Sequence, residues 1–211
     1  MKLLFIGDSI TDMRRYREEP TPYCFGNGFV FLLEAALTKK YPKQFEIINR
    51  GISGNRIVDI YQRIKADCWN QMPDVVTIMV GVNDVYHELK YGNGVDQERF
   101  KRFYDMMIED TKKVLPNATI IIMGSFILEG KETAERFDEF CEIKEYAEIT
   151  RKVAQKHNCL FVSLQEHFDA LAAEYGADYF LFDGIHPTVA GANVIAEHWL
   201  DCFENNVLLH S

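Results

Sequence analysis

Five short apolar runs, at residues 2–6, 45–48, 75–80, 119–123 and 160–162, recur along the chain with longer segments of helical periodicity between them. That is the rhythm of a βαβ chain. The third run, Val-Val-Thr-Ile-Met-Val at 75–80, is continuous rather than alternating, the pattern of a parallel strand covered on both faces. Phe29, Leu32, Leu33, Ala36 and Leu37 share one helical face before Tyr41-Pro42. Phe100, Phe103, Met107 and Val114 share another before Pro116. Residues 139–157 and 188–203 read as two further helices and 57–69 as a shorter one. With no repeat, low-complexity tract or linker, residues 1–211 read as one three-layer α/β domain, helices lying on both faces of a parallel sheet. In such sheets ligands bind at the carboxyl ends of the strands.

Charge and cysteine content narrow the function classes. The 211 residues include 23 Lys and Arg against 32 Asp and Glu, a formal charge of −9, which opposes binding to a phosphate backbone and excludes nucleic acid as a partner. The opening residues offer one lysine and only four apolar side chains, Leu3 to Ile6, before an acidic turn. That is too short for a signal-peptide core or a membrane span, so the expected location is cytoplasmic with no membrane partner. Five cysteines, an odd number with no C-x-x-C pair, fit neither a disulfide framework nor a zinc ribbon and read as reduced core thiols. A homo-oligomer is compatible with all of this.

Four polar clusters fall at the predicted strand ends: Gly7-Asp8-Ser9, the segment 49–55 containing Gly54, Gly81-Val82-Asn83-Asp84, and Asp183-Gly184-Ile185-His186-Pro187. The topology brings them to one rim. Each alone is also an ordinary turn: a helix-capping serine, a loop glycine, a turn asparagine, a loop carboxylate, or a surface histidine before a helix-starting proline. Together they have the parts of nucleophilic catalysis. A serine hydroxyl is a weak nucleophile until a histidine takes its proton and a third group orients that histidine. Ser9 is the candidate nucleophile, His186 its base and Asp183, three residues away on the same loop, the orienting carboxylate. Gly54, through its backbone amide, and Asn83, through its side-chain NH2, are candidate donors to an oxyanion.

The four blocks, in this order, resemble the SGNH or GDSL hydrolases, named for a serine, glycine, asparagine and histidine in separated motifs. The resemblance covers essentially the whole chain. It implies a flavodoxin-like sandwich with a five-stranded parallel sheet, and an oxyanion hole from the Ser9 and Gly54 amides with the Asn83 side chain. It implies catalysis without a metal or organic cofactor. The longer strings around Ser9, Gly54, Asn83 and His186 are similar to bacterial carbohydrate esterases that remove acetyl groups from xylan-derived sugars, and they shade into lysophospholipase-like and thioesterase-like acylhydrolases. The expected substrate is therefore a small acylated sugar. Phe182 and Ile185 are candidate walls of a short acyl pocket, and Arg14 and Tyr23 candidate contacts for the sugar. The segments 86–94 and 126–137 read as loops on the acceptor side.

Two other classes fit parts of the pattern. Asp8, Asp12, Asn83, Asp84, Asp183 and His186 could be drawn around a pair of divalent ions, but only one histidine is well placed for that. A non-catalytic module could use the rim to hold a small ligand, although neither glycine pattern for nucleotide phosphates occurs in the first turn.

Overall fold

In the computed structural model, which describes residues 1–18 and 21–210, all five apolar runs are strands. They are β1 (Lys2–Gly7), β2 (Glu46–Gly51), β3 (Val75–Met79), β4 (Thr119–Met123) and β5 (Leu160–Val162). They form one all-parallel sheet in the order β2-β1-β3-β4-β5. Leu3, Leu4, Phe5 and Ile6 are all fully buried, as are Val76 and Ile78, so both faces of the central strands are covered. This is why those runs are continuous rather than alternating.

Helices supply the connections: α1 (Ser9–Asp12), α2 (Phe29–Lys40), α3 (Ile57–Asp67), α4 (Val82–Tyr91), α5 (Gln97–Val114), α6 (Phe137–Phe140), α7 (Ile143–Lys156), α8 (Gln165–Tyr175), α9 (Ala177–Phe180) and α10 (Val189–Asn206). The chain moves outward from β1 to β2, then reverses through β3 to β5. Right-handed crossovers in opposite directions place α2 on one face and α3, α5 and α7 on the other. Accordingly α2 packs with α10, while α3, α5 and α7 pack in series. On the α2–α10 face, Phe5 lies between Phe29 and Trp199, with ring centroids 5.8 and 5.1 Å away. The Trp199 indole N–H donates to Thr77 Oγ1 at 2.8 Å, satisfying the polar side chain in the middle of β3.

Two expectations are corrected. Most of residues 86–94 is helical, because α4 runs from Val82 to Tyr91 between Gly81 at φ +146° and Gly92 at φ +62°. The glycines read as loop signals, yet they are the two ends of a helix whose Val82 and Val85 are buried. The segment 139–157 is interrupted, α6 ending before α7 begins at Ile143.

Reversal of strand order leaves a crevice between the ends of β1 and β3, the topological switch point of an open α/β sheet. Ser9 follows β1 and Asn83 follows β3. No helix among the described residues is long and apolar enough to cross a membrane.

Candidate active site

Ser9 opens the single-turn helix α1. Asp8 caps that turn, its Oδ1 accepting from the Ile10 amide at 3.0 Å. Two glycines let the turn sit where it does: a β-carbon on Gly7 would meet Thr11 Oγ1 and the Met79 carbonyl, and one on Gly51 would collide with the Asp12 amide. Asn49 fixes the turn from β2, donating to the Thr11 carbonyl at 2.7 Å and to the Phe25 carbonyl at 2.9 Å.

His186 reaches Ser9 from the far end of the sequence. Ser9 Oγ lies 2.9 Å from His186 Nε2, and His186 Nδ1 lies 2.7 Å from Asp183 Oδ2. The other Asp183 oxygen accepts from the Ile185 amide at 2.9 Å and the His186 amide at 2.7 Å, so the carboxylate cannot turn away. Burial tends to raise the Asp183 pKa, but the ring and amide hydrogen bonds outweigh it and hold the value below the ordinary one. Its hydrogen bond in turn raises the His186 pKa above the usual histidine value despite burial. The loop closes through a Leu181–Pro187 bridge. The 126–137 segment, expected at the acceptor side, backs this loop: the Leu128 amide donates to the Gly184 carbonyl at 3.0 Å and the Glu132 amide to the Asp183 carbonyl at 2.9 Å.

Gly54 has φ +83°, a left-handed conformation that suits glycine. The loop before it is tied to α1 by Asp12, whose Oδ2 accepts from the Ser53 amide at 2.9 Å and from Arg17 Nη2 at 2.8 Å. Asn83 Nδ2 donates one hydrogen to the Asn55 carbonyl at 3.2 Å, which orients the amide and leaves its second N–H. Asp84, fully buried, accepts from the Ile57 amide at the start of α3 at 3.0 Å. Burial raises the Asp84 pKa well above its ordinary value, and it raises that of Asp8 to about 6. Asp12 and Asp84 are thus committed to joining the motif loops to one another, a role the residue pattern alone did not reveal. Asp8, Asp12 and Asp84 were visible in the motifs, but their backbone partners follow only from the folded loops. Among the described residues no group of three or more His, Cys, Asp or Glu side chains is arranged to hold a metal ion.

A cavity of about 460 Å³ opens beside Ser9 and His186, and Arg14, Asn27, Ser53 and Phe182 line it. Phe182 is 57% exposed and stacks on the His186 ring at 5.8 Å between centroids. Two residues expected here lie elsewhere. Ile185 is 3% exposed and packs in the core beneath the loop, because the tight turn that aims His186 outward sends its neighbour inward. Tyr23 is 73% exposed and is not among the residues lining the cavity; its backbone carbonyl accepts from Tyr16 at 3.0 Å.

The family model for the GDSL-like lipase/acylhydrolase family matches residues 5–194. The chain belongs to this family. It is 32% identical over 206 residues to an acetylxylan esterase of Geobacillus stearothermophilus, covering 94% of this chain and 92% of that protein. Similar solved structures include a GDSL-like lipase from Parabacteroides merdae, with a TM-score of 0.87, 34% identity and coverage of 95% and 94% of the two chains. Axe2, an acetylxylan esterase from Geobacillus stearothermophilus, superposes with a TM-score of 0.85 at 31% identity over 95% and 93%. The protein is a carboxylic ester hydrolase with this family's α/β fold.

Proposed function

We propose that this hydrolase is a serine acetylesterase that deacetylates xylo-oligosaccharides or related small sugars through an acyl-enzyme. The observation that carries the mechanism is the relay from Ser9 Oγ through His186 to Asp183, with successive contacts of 2.9 and 2.7 Å. Ser9 Oγ attacks the ester carbonyl carbon and passes its proton to His186 Nε2. Asp183, held by two amides, keeps the remaining ring proton on Nδ1 and stabilises the imidazolium. The carbonyl oxygen, now negative, accepts from the Ser9 and Gly54 amides and from the second N–H of Asn83. The tetrahedral adduct collapses, the C–O bond to the sugar breaks, and the departing oxygen takes the proton from Nε2. Water, deprotonated by the same nitrogen, attacks the acetyl-Ser9 carbonyl; the bond to Ser9 Oγ then breaks, Oγ takes the proton back from Nε2, and acetate leaves.

The leaving alcohol must stand next to His186 to receive its proton, so it occupies the cavity walled by Phe182 and Arg14. That cavity is of the size that holds a sugar unit or two. The acetyl preference is supported by the similarity to the Geobacillus acetylxylan esterase. The test is acetate release from peracetylated xylose and xylo-oligosaccharides, with aryl acetate, aryl octanoate and a lysophospholipid alongside, by wild type and Ser9→Ala. Release from the sugars that disappears in Ser9→Ala is expected. Turnover confined to octanoate or lysophospholipid would replace the sugar reading with a long-chain one. Sugar deacetylation that survives Ser9→Ala would overturn the mechanism.

A further inference from the structure

Arg14 stands at the alcohol cavity as an exposed cation that forms no ion pair among the described residues. It lines the cavity with Ser9, Asp12, Asn27, Ser53 and His186. Among the described residues its guanidinium makes no hydrogen bond or ion pair. The carboxylates around it are spoken for: Asp12 accepts from Arg17, the Ser53 amide and the Arg15 amide, and Asp183 accepts from His186 and two amides. The side chains of Asn27 and Ser53, which line the same wall, likewise have no hydrogen bond among the described residues. All three side chains are exposed, so water serves these donors in the free enzyme, and a ligand that carries acceptors and negative charge can take them over when it fills the cavity.

The backbone holds Arg14 there against its own preference. Met13 at φ +36° and Arg14 at φ +59° are two successive non-glycine residues in the left-handed region. Such conformations persist only where the surroundings impose them. The 26–28 segment does so: the Asn27 amide donates to the Met13 carbonyl at 3.0 Å, and a β-carbon on Gly28 would meet the Met13 side chain. Behind the turn, Arg15 is 8% exposed, with its Nε donating to the Gly51 carbonyl at 2.8 Å, and Arg17 pairs with Asp12. Of the charged side chains that line the cavity, the Asp12 and Asp183 carboxylates are held by other protein groups, and Arg14 is left as the cation that faces solvent.

We propose that the alcohol half of the preferred substrate carries an oxyanion group, a carboxylate or a phosphate, that Arg14 grips as a specificity-determining residue while Asn27 and Ser53 hydrogen-bond the neighbouring sugar hydroxyls. The proposal rests on the acetylesterase reading and ranks substrates within it: neutral acetylated sugars are turned over, and those that carry an acidic group are preferred. A guanidinium offers two parallel N–H donors to either anion, so carboxylate and phosphate are the two forms to compare.

The experiment compares kcat/KM for O-acetylated glucuronate, O-acetylated glucose 6-phosphate and O-acetylated glucose, with aryl acetate as the ester that has no sugar. The enzymes are wild type, Arg14→Gln and Arg14→Lys. Wild type is expected to favour an anionic sugar by about tenfold, the scale of one charge-assisted hydrogen-bonded contact, and mainly through KM. That preference shrinks as salt rises from about 0.05 to about 0.5 M, a readout on wild type that needs no variant. It collapses in Arg14→Gln and is partly kept in Arg14→Lys. Preference for glucuronate alone identifies a uronate, and preference for the phosphate alone identifies a sugar phosphate. Equal turnover of anionic and neutral sugars by wild type, or a preference that survives Arg14→Gln, overturns the proposal. Calorimetric titration of Ser9→Ala with sodium glucuronate and with glucose separates the two readings. Failure to hydrolyse any ester removes the esterase, whereas equal affinity for the two sugars removes only the role of Arg14.

Discussion

Asp183 uses its two oxygens differently, one on backbone amides and one on the His186 ring, and the division determines what each substitution removes. Asp183→Asn keeps an acceptor for the amides but presents an NH2 to the ring or forces the wrong tautomer. A loss of about 10⁴ in kcat with little change in fold is expected, measured on aryl acetate with circular dichroism as the control. The same bond sets the pH dependence. Because Asp183 raises the His186 pKa, the base form needed for attack appears only above the ordinary histidine value of 6.5. The acid limb of kcat/KM therefore lies above pH 6.5, and NMR titration of the His186 ring should show its pKa falling in Asp183→Asn. A ring pKa unchanged by that substitution would remove Asp183 as the cause. Asn83→Ala removes one donor of the proposed oxyanion hole and should lower kcat by about 10² to 10³ while KM changes little. A loss carried by KM instead would make Asn83 a binding contact.

At the scale of elements, α1 is only four residues long and is held by what surrounds it. Its cap is buried: Asp8 is 1% exposed and its pKa rises from 3.8 to about 6. The folded state binds this proton more tightly than the unfolded chain does, so its contribution to stability declines as pH rises from 3.8 through about 6. Above that range the ionised, desolvated carboxylate costs about 3 kcal/mol. Asp8→Asn keeps an oxygen for the Ile10 amide without the charge. It should raise the urea midpoint at pH 7.5, with the gain shrinking toward pH 4; a gain independent of pH would rule out Asp8 titration as its source. The strands, the principal helices and the Ser9, Asp183 and His186 motifs were legible in the sequence because apolar periodicity and turn residues are local signals. The role of α4 was not, since the glycines that begin and end it also signal a loop. Nor was the displacement of Ile185 and Tyr23 from the cavity, because which way a loop side chain points depends on packing from segments far away in sequence. Residues 126–137 show the same dependence: their backbone bonds to Asp183 and Gly184 arise only when β4 and α10 have docked.

Across the whole molecule, the contact between Ser9 and His186 spans 177 positions and connects the first strand to the last helix. His186 precedes α10, whose cap Thr188 accepts from the Gly191 amide at 3.2 Å, and a β-carbon on Gly191 would collide with the Phe180 carbonyl. The loop that carries Asp183 and His186 is therefore positioned by where α10 lies on the sheet. Trp199 decides that position, stacking on Phe203 at 4.7 Å, packing on Phe5 and bonding Thr77. Trp199→Phe keeps much of the ring packing but leaves the buried Thr77 hydroxyl without its donor, an expected cost of about 1 to 3 kcal/mol in urea unfolding. Where that variant remains folded, α10 keeps its seat and kcat should stay within about twofold. Trp199→Ala opens a cavity under the helix, costs about 3 to 5 kcal/mol, and should lower kcat of the folded enzyme as well, because the His186 loop loses its anchor. If Trp199→Ala instead lost stability while its folded fraction kept full kcat, the geometry of the relay would be set locally, by the bonds of residues 128–132 to the loop that carries Asp183 and His186, and not by the docking of α10.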